Sequence, residues 1–188
     1  RVRDQQKFTN EDDFLIGLNM VSLVEPFNKF NTPRVAQLSQ RSNQFNLRTV
    51  RYTDVNIEKL LTAPDYYTFS FTLEDKFGDN GIAVLSIIQI ENNIAFIDSL
   101  LLSCRILGRN IEGVYLNFII NLLFDKNITE VRSSYLPSNK NKQTKDFYEK
   151  MNFNLVETKS DGSKYYSLQL TQKRNIENYY TINYITNE

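Results

Sequence analysis

Histidine is missing altogether from this sequence. That removes the commonest general base and the commonest metal ligand, and with them any Ser-His or Cys-His catalytic pair. No metal site is expected. Tryptophan is also absent, so the aromatic part of the core must come from 13 Phe and 11 Tyr. A single cysteine, Cys104, rules out an internal disulfide framework and points to a reducing compartment, the cytoplasm. Net charge of either sign is lacking. The 22 Lys and Arg balance the 22 Asp and Glu, so nothing draws the whole chain to nucleic acid or to a membrane surface. No apolar run reaches bilayer length, and no signal peptide is legible at the start. The first residue is Arg rather than Met, which reads as a piece of a longer chain.

What is present suits one globular domain: 188 residues, 41% of them apolar and 23% charged. Residues 1–10 are polar and read as a linker from an upstream domain. The domain is expected over 11–172, and the Tyr- and Asn-rich stretch 173–188 as a loosely held tail. From Glu11 the apolar residues Phe14, Leu15, Leu18 and Val21 recur at helical spacing, with Thr9 or Asn10 as cap. Val24 extends the stripe, and Pro26 ends it. Pro33 opens a second helix carrying Val35, Leu38 and Phe45. Asp54 reads as the cap of a short helix with Ile57, Leu60 and Leu61.

Three strands follow in a meander, 66–73, 82–90 and 94–102. The first two are joined by the Gly-containing turn 74–81 and the last two by 91–93. A helix over about 110–124 is apolar almost all round and must be buried. A strand over 128–135, a helix with Phe147, Tyr148 and Met151, and strands over 153–157 and 165–170 complete the pattern. This is an α/β (α+β) order. It predicts a mixed, mostly antiparallel central sheet with helices on both faces.

The stretch from Asp98 to Glu112 organises the chain. A strand runs through Ser103, Cys104 and Arg105, turns at Gly108 and enters a helix. Free N–H groups and the positive end of a helix dipole make such a junction a good anion site. Arg105, Gly108, Arg109 and Asn110 are therefore candidate ligands for a phosphate. Cys104 is either a small core residue or a nucleophile toward an acyl phosphate or thioester. Glu112 either complements the helix dipole or acts as a general base. Asn43, Gln44 and Asn46 either line a cleft or cap a helix end. Asp75, Asp79 and Asn80 are either hairpin chemistry or substrate contacts. Asp98, inside an apolar strand, is expected to be half buried and paired, with Arg48 or Arg51 as partner. Lys140, Lys142 and Lys145 form a basic loop, either solvated or facing an acidic partner surface.

Two signals then carry a resemblance. R-I-L-G-R-N at Arg105–Asn110 resembles the acyl-CoA-binding motif of the GNAT acetyltransferase fold, R/Q-x-x-G-x-G/A, with Asn110 at the last small position. The run F-Y-E-K-M-N-F at Phe147–Phe153 resembles that fold's FYEKxGF signature, with Asn152 at the glycine. Three longer blocks, Pro33–Thr53, Asp75–Gly81 and Ser103–Glu112, resemble the C-terminal half of FkbH-like proteins of HAD-superfamily subfamily IIIC. Arg41-Ser42 stand where that family usually has Lys-Thr. The resemblance spans roughly 11–157.

It implies a GNAT-like acyltransferase domain behind an N-terminal HAD phosphatase domain. The HAD signature Asp-x-Asp-x-Thr is not found here. The implied reaction of polyketide pathways moves a glyceryl group from 1,3-bisphosphoglycerate to a phosphopantetheinylated acyl carrier protein, through a cysteine thioester. No covalently bound cofactor is implied; phosphopantetheine or a CoA thioester is the expected ligand. Two other functions fit the residues. One is a CoA-dependent N-acetyltransferase, assisted by Glu112 or Tyr148. The other is a non-catalytic domain that docks a carrier protein on the amide-rich stretch 41–49.

Overall fold

The computed structural model describes residues 11–186. The proposed linker 1–10, with the cap at Thr9 or Asn10, lies outside the described residues. The first helix, α1 (Glu11–Gly17), is shorter than the apolar spacing predicts. Asn19 takes a left-handed conformation at φ 50° and turns the chain. Val21 and Val24 then lie on a strand, β1 (Met20–Glu25), not on the helix. Met20, Ser22 and Val24 face inward at a period of two, and the match to a helical period was coincidental.

Helix α2 (Thr32–Arg41) opens with Pro33 in its first turn, as expected, and buries Val35 and Leu38. Phe45 is not on its face; it belongs to a two-residue strand, β2 (Phe45–Asn46). Helix α3 (Asp54–Leu60) is capped by Thr53 rather than Asp54. Thr53 Oγ1 accepts from Asn56 N at 3.2 Å, and Asn56 Oδ1 accepts from Thr53 N at 2.9 Å, a reciprocal capping box.

The meander is present as β3 (Tyr66–Asp75), β4 (Gly78–Glu91) and β5 (Ile94–Leu102). The first two strands run into the segment read as a turn, leaving only Lys76 and Phe77 between them, with register shifts around Thr72. Next come α4 (Ile111–Asp125), β6 (Glu130–Tyr135), α5 (Phe147–Lys150), β7 (Asn154–Thr158) and β8 (Lys164–Gln169). Part of the stretch read as a loose tail forms β9 (Tyr180–Tyr184), which pairs parallel with β1.

The strand order is β7-β8-β6-β5-β4-β3-β1-β9. One face packs α4 with Phe14, Leu15, Phe71, Tyr115 and Tyr148 into the larger core. The other face packs α2 and α3 through Val35, Leu38, Ile57, Leu85, Ile87 and Leu101. Helices thus cover both faces of a mixed, mostly antiparallel sheet, as the element order predicts.

Strands β5 and β6 are parallel and pair only at Ile94–Phe96 with Glu130–Arg132. Beyond that they part, and β2 occupies the gap. Phe45 and Asn46 pair with Leu102 and Leu101. Leu47 O accepts from Leu136 N at 2.9 Å, just past β6. The chain itself therefore satisfies main-chain groups that two diverging strands would leave open.

Candidate functional site

At the end of β5, Ser103 N donates to Ala83 O at 2.7 Å, and Ser103 Oγ accepts from Arg105 N at 3.4 Å. One 3₁₀ turn follows over Cys104–Ile106. Ile106 and Ile111 are fully buried and pin this junction at both ends. Gly108 (φ 78°) and Asn110 (φ 55°) make the left-handed bends that aim the chain into α4. Cys104 and Arg105 are left exposed between buried Leu102 and buried Ile106.

The Cys104 thiol opens into a cleft of about 520 Å³. Leu38 and Leu102 give it an apolar floor, and Arg34, Arg41, Arg105 and Lys140 give it a cationic rim. No carboxylate lines it. Burial, followed by the charges of Arg105 and Arg41, pulls the pKa of Arg34 below the usual arginine value. Among the described residues none of the four cations forms an ion pair.

Asn43 and Gln44 line the cleft, as the sequence predicts for one of their two readings. Asn46 does not. It is 1% exposed; its Nδ2 donates to Ser42 O at 3.2 Å and its Oδ1 accepts from Thr49 N at 2.8 Å. It is a bracket inside the fold, tying the end of α2 to the turn at Thr49. Arg109 is likewise corrected. Its guanidinium is paired with Asp75 in the interior, the two side chains being 7% and 1% exposed, so it has no face to offer a phosphate.

Asn110 carries no capping bond to α4, and its side chain contacts the Tyr179 hydroxyl by a hydrogen bond. Asp79 accepts from Gly81 N at 2.7 Å, which is hairpin chemistry; neither it nor Asn80 lines the cleft. Asp98 is paired with Arg48 at 2.6 Å and accepts from Tyr52 Oη at 2.8 Å. Burial and then the Asp98 charge push the Tyr52 phenol pKa up. This pair lies in a separate groove of about 600 Å³ over the sheet face. Arg51, the other partner considered, instead caps the end of α2 by donating to Ser39 O and Ser42 O at 2.6 and 2.7 Å.

Gly108 and Glu112 face a different, smaller pocket of about 220 Å³, with Phe45, Phe147 and Lys150. One Glu112 carboxylate oxygen there is buried without a partner. Phe45 lines this pocket, while its neighbour Gln44 lines the cysteine cleft. Tyr148, the other candidate acid–base group, is 1% exposed, and burial pushes its pKa up. It has no route to a reacting group.

Sequence reasoning missed Arg34 and Arg41 as site residues. A signal existed: Arg34, Leu38 and Arg41 follow at spacings of four and three, which puts them on one face of α2.

No protein-family model matches this chain, and no curated protein matches it. Solved structures do. The chain is similar to ribosomal-protein-S18-alanine N-acetyltransferase from Escherichia coli, with a TM-score of 0.62 and 14% identity over 81% of this chain and 96% of that one. It is similar to spermidine N-acetyltransferase from Vibrio cholerae in complex with CoA and spermine, with a TM-score of 0.61 and 12% identity over 80% and 96%. It is similar to the GNAT domain of S. lividans PAT, with a TM-score of 0.61 and 12% identity over 78% and 89%. The chain has a GNAT-like fold.

A CoA thioester fits this fold in one respect and not in another. The cationic cleft beside Cys104 suits its phosphates. The gap between β5 and β6 does not suit its long arm, because β2 fills it.

Proposed function

We propose that this is an acyltransferase domain that holds a small acyl group as a thioester on Cys104. It passes that group to the phosphopantetheine thiol of an acyl carrier protein. In the FkbH-like reading the group is glyceryl, and a HAD-type phosphatase domain upstream in the full-length protein prepares it. The observation that carries the proposal is the exposure of the sole thiol inside a cleft rimmed by four cations and no carboxylate.

The chemistry balances without histidine. Cys104 Sγ attacks the acyl carbon of an acyl phosphate or thioester. A C–S bond forms, and the bond to phosphate oxygen or to the donor sulfur breaks, its electron pair leaving with the donor. The thiol proton goes to that leaving group or to water. In the second step the carrier thiol attacks the new thioester, and Cys104 leaves with the electron pair and is reprotonated. Arg105 stands next to the reacting sulfur in sequence and offers N–H groups to the oxyanion. Intact-mass spectrometry after incubation with an acyl phosphate or acyl thioester tests this. One acyl mass should appear on the wild type and none on Cys104→Ala. An undiminished adduct on the variant, or no adduct on the wild type, removes the proposal.

A second reading is direct, CoA-dependent N-acetylation. It is supported by two of the similar solved structures, the N-acetyltransferases of Escherichia coli and Vibrio cholerae, the second in complex with CoA. It is also supported by the unpartnered Glu112 oxygen near Lys150, which is placed to accept a proton from an amine. Acetyl-CoA turnover with amines that persists in Cys104→Ala and is lost in Glu112→Gln moves the assignment to this reading.

A further inference from the structure

We propose that the phosphoryl group of the acyl donor is bound by Arg34, Arg41 and Arg105 beside Cys104, and not at the N-terminus of α4. The inference rests on the acyl-transfer reading above and deepens it.

Arg34 and Arg41 project about two turns apart from one face of α2. Arg105 comes from the opposite wall, one residue past the thiol, and all three line one cleft. Guanidinium groups that share a cleft repel one another; the pKa of Arg34 is depressed by burial first and by the charges of Arg105 and Arg41 after it. Proteins ordinarily relieve such repulsion with carboxylates. Here none of the described residues does so; Arg34 donates to the neutral Gln37 Oε1 at 2.6 Å. The missing counter-charge has the valence of a bound anion, and planar guanidinium forks suit phosphate oxygens.

Lys140 is presented on the far rim by a rigid loop. Asn141 is fully buried, its Nδ2 donates to Asn46 O and Leu136 O, both at 2.9 Å, and its Oδ1 accepts from Ser138 N at 2.8 Å. The backbone that carries Lys140 is therefore held in place from inside the fold.

The alternative anion site is weaker on three counts. Arg109, the cation nearest the N-terminus of α4 in sequence, is spent on Asp75. The adjoining pocket is less than half the volume of the cleft and carries the Glu112 carboxylate. Phe45, which lines that pocket and not the thiol's cleft, closes the way between β5 and β6 together with Asn46. A donor seated in the cleft beside Cys104 shares it with the three arginines.

Cys104 is the only cysteine, so its alkylation by iodoacetamide, read by intact mass, reports on occupancy of the cleft without any acyl transfer. The ratio of alkylation rates with and without a probe is measured for wild type, for Arg34→Gln/Arg41→Gln, and for Lys150→Gln at the α4 pocket. The probes are inorganic pyrophosphate and a ketone analogue of acetyl-CoA that cannot transfer its acyl group. At least one probe should slow alkylation tenfold or more in wild type and Lys150→Gln, and less than twofold in the arginine variant. Equal protection by both probes identifies a phosphate held next to the thiol, as in an acyl phosphate. Protection by the analogue alone identifies a pantetheine-linked donor. Protection that survives in the arginine variant, or no protection by either probe in the wild type, overturns the proposal. Neither probe acylates the protein, so these results stand apart from the acyl-adduct test of the function itself.

Discussion

Asparagine performs a glycine's work at several points in this chain. Among the described residues, the non-glycine positions with positive φ are Asn19, Asn92, Asn93, Asn110, Asn127 and Asn152, together with Thr49. That explains two departures from the motifs at one stroke. Asn110 and Asn152 stand where glycine is expected and adopt the left-handed conformation that asparagine tolerates better than other side chains. Thr49 is the exception, because a β-branched residue at φ 53° is strained. It lies just past β2, where Asn46 Oδ1 holds its N–H. Asp75 and Arg109 matter at the same scale. Their buried pair ties the β3–β4 hairpin to the loop that carries Cys104. Asp75→Asn leaves a buried guanidinium without its counter-charge and should cost about 3–5 kcal/mol. Denaturant unfolding should show a lower midpoint at unchanged slope.

At the scale of elements, β2 has the largest consequence for its size. Its two residues fill the gap between β5 and β6, and Phe45 packs edge-on against Phe147 with centroids 5.0 Å apart. Phe45 is 6% exposed. Phe45→Ala should cost about 3–5 kcal/mol by removing buried area and leaving a void. Thermal melts should fall by on the order of 10 °C. Helix α2 has two jobs on two faces. Val35 and Ala36 pack toward the sheet, while Arg34, Leu38 and Arg41 line the cleft. An amphipathic pattern finds the first face. It is blind to the second, because an arginine on a helix surface looks the same whether it meets water or a ligand.

At the scale of the whole molecule, β1 and β9 bring the two ends of the domain together. Met20 pairs with Tyr180 and Val24 with Tyr184. Tyr180 packs edge-on against Tyr115 at 5.5 Å in the larger core. Contacts so distant in sequence carry the largest loop-closure cost and form after the local ones. Tyr180→Ala should remove about 3 kcal/mol. The loss should appear as unfolding faster by on the order of 100-fold with folding little changed, a φ-value near zero. Stopped-flow chevrons read both limbs. A matching fall in the folding rate would place β9 in the folding nucleus instead.

The meander, the buried helix α4 and the helix opened by Pro33 were all legible in the chain, because each is set by local periodicity or by a turn residue; the exposure of Cys104 was legible only as one of two readings. The Arg48–Asp98 pair was legible as one of two options, since a carboxylate inside an apolar strand must find a cation. The end of α1, the strand β9, the place of Phe45 and the burial of Arg109 were not. Each depends on a partner far along the chain: Glu74 and Tyr180 for β1, Leu102 for Phe45, Asp75 for Arg109. Sequence alone determined the fold class and the position of the one thiol, through hydrophobic period and glycine and asparagine turns. Tertiary structure alone decided which cations surround that thiol. Electrostatic neighbourhood is set by distance in space, and no local pattern encodes it.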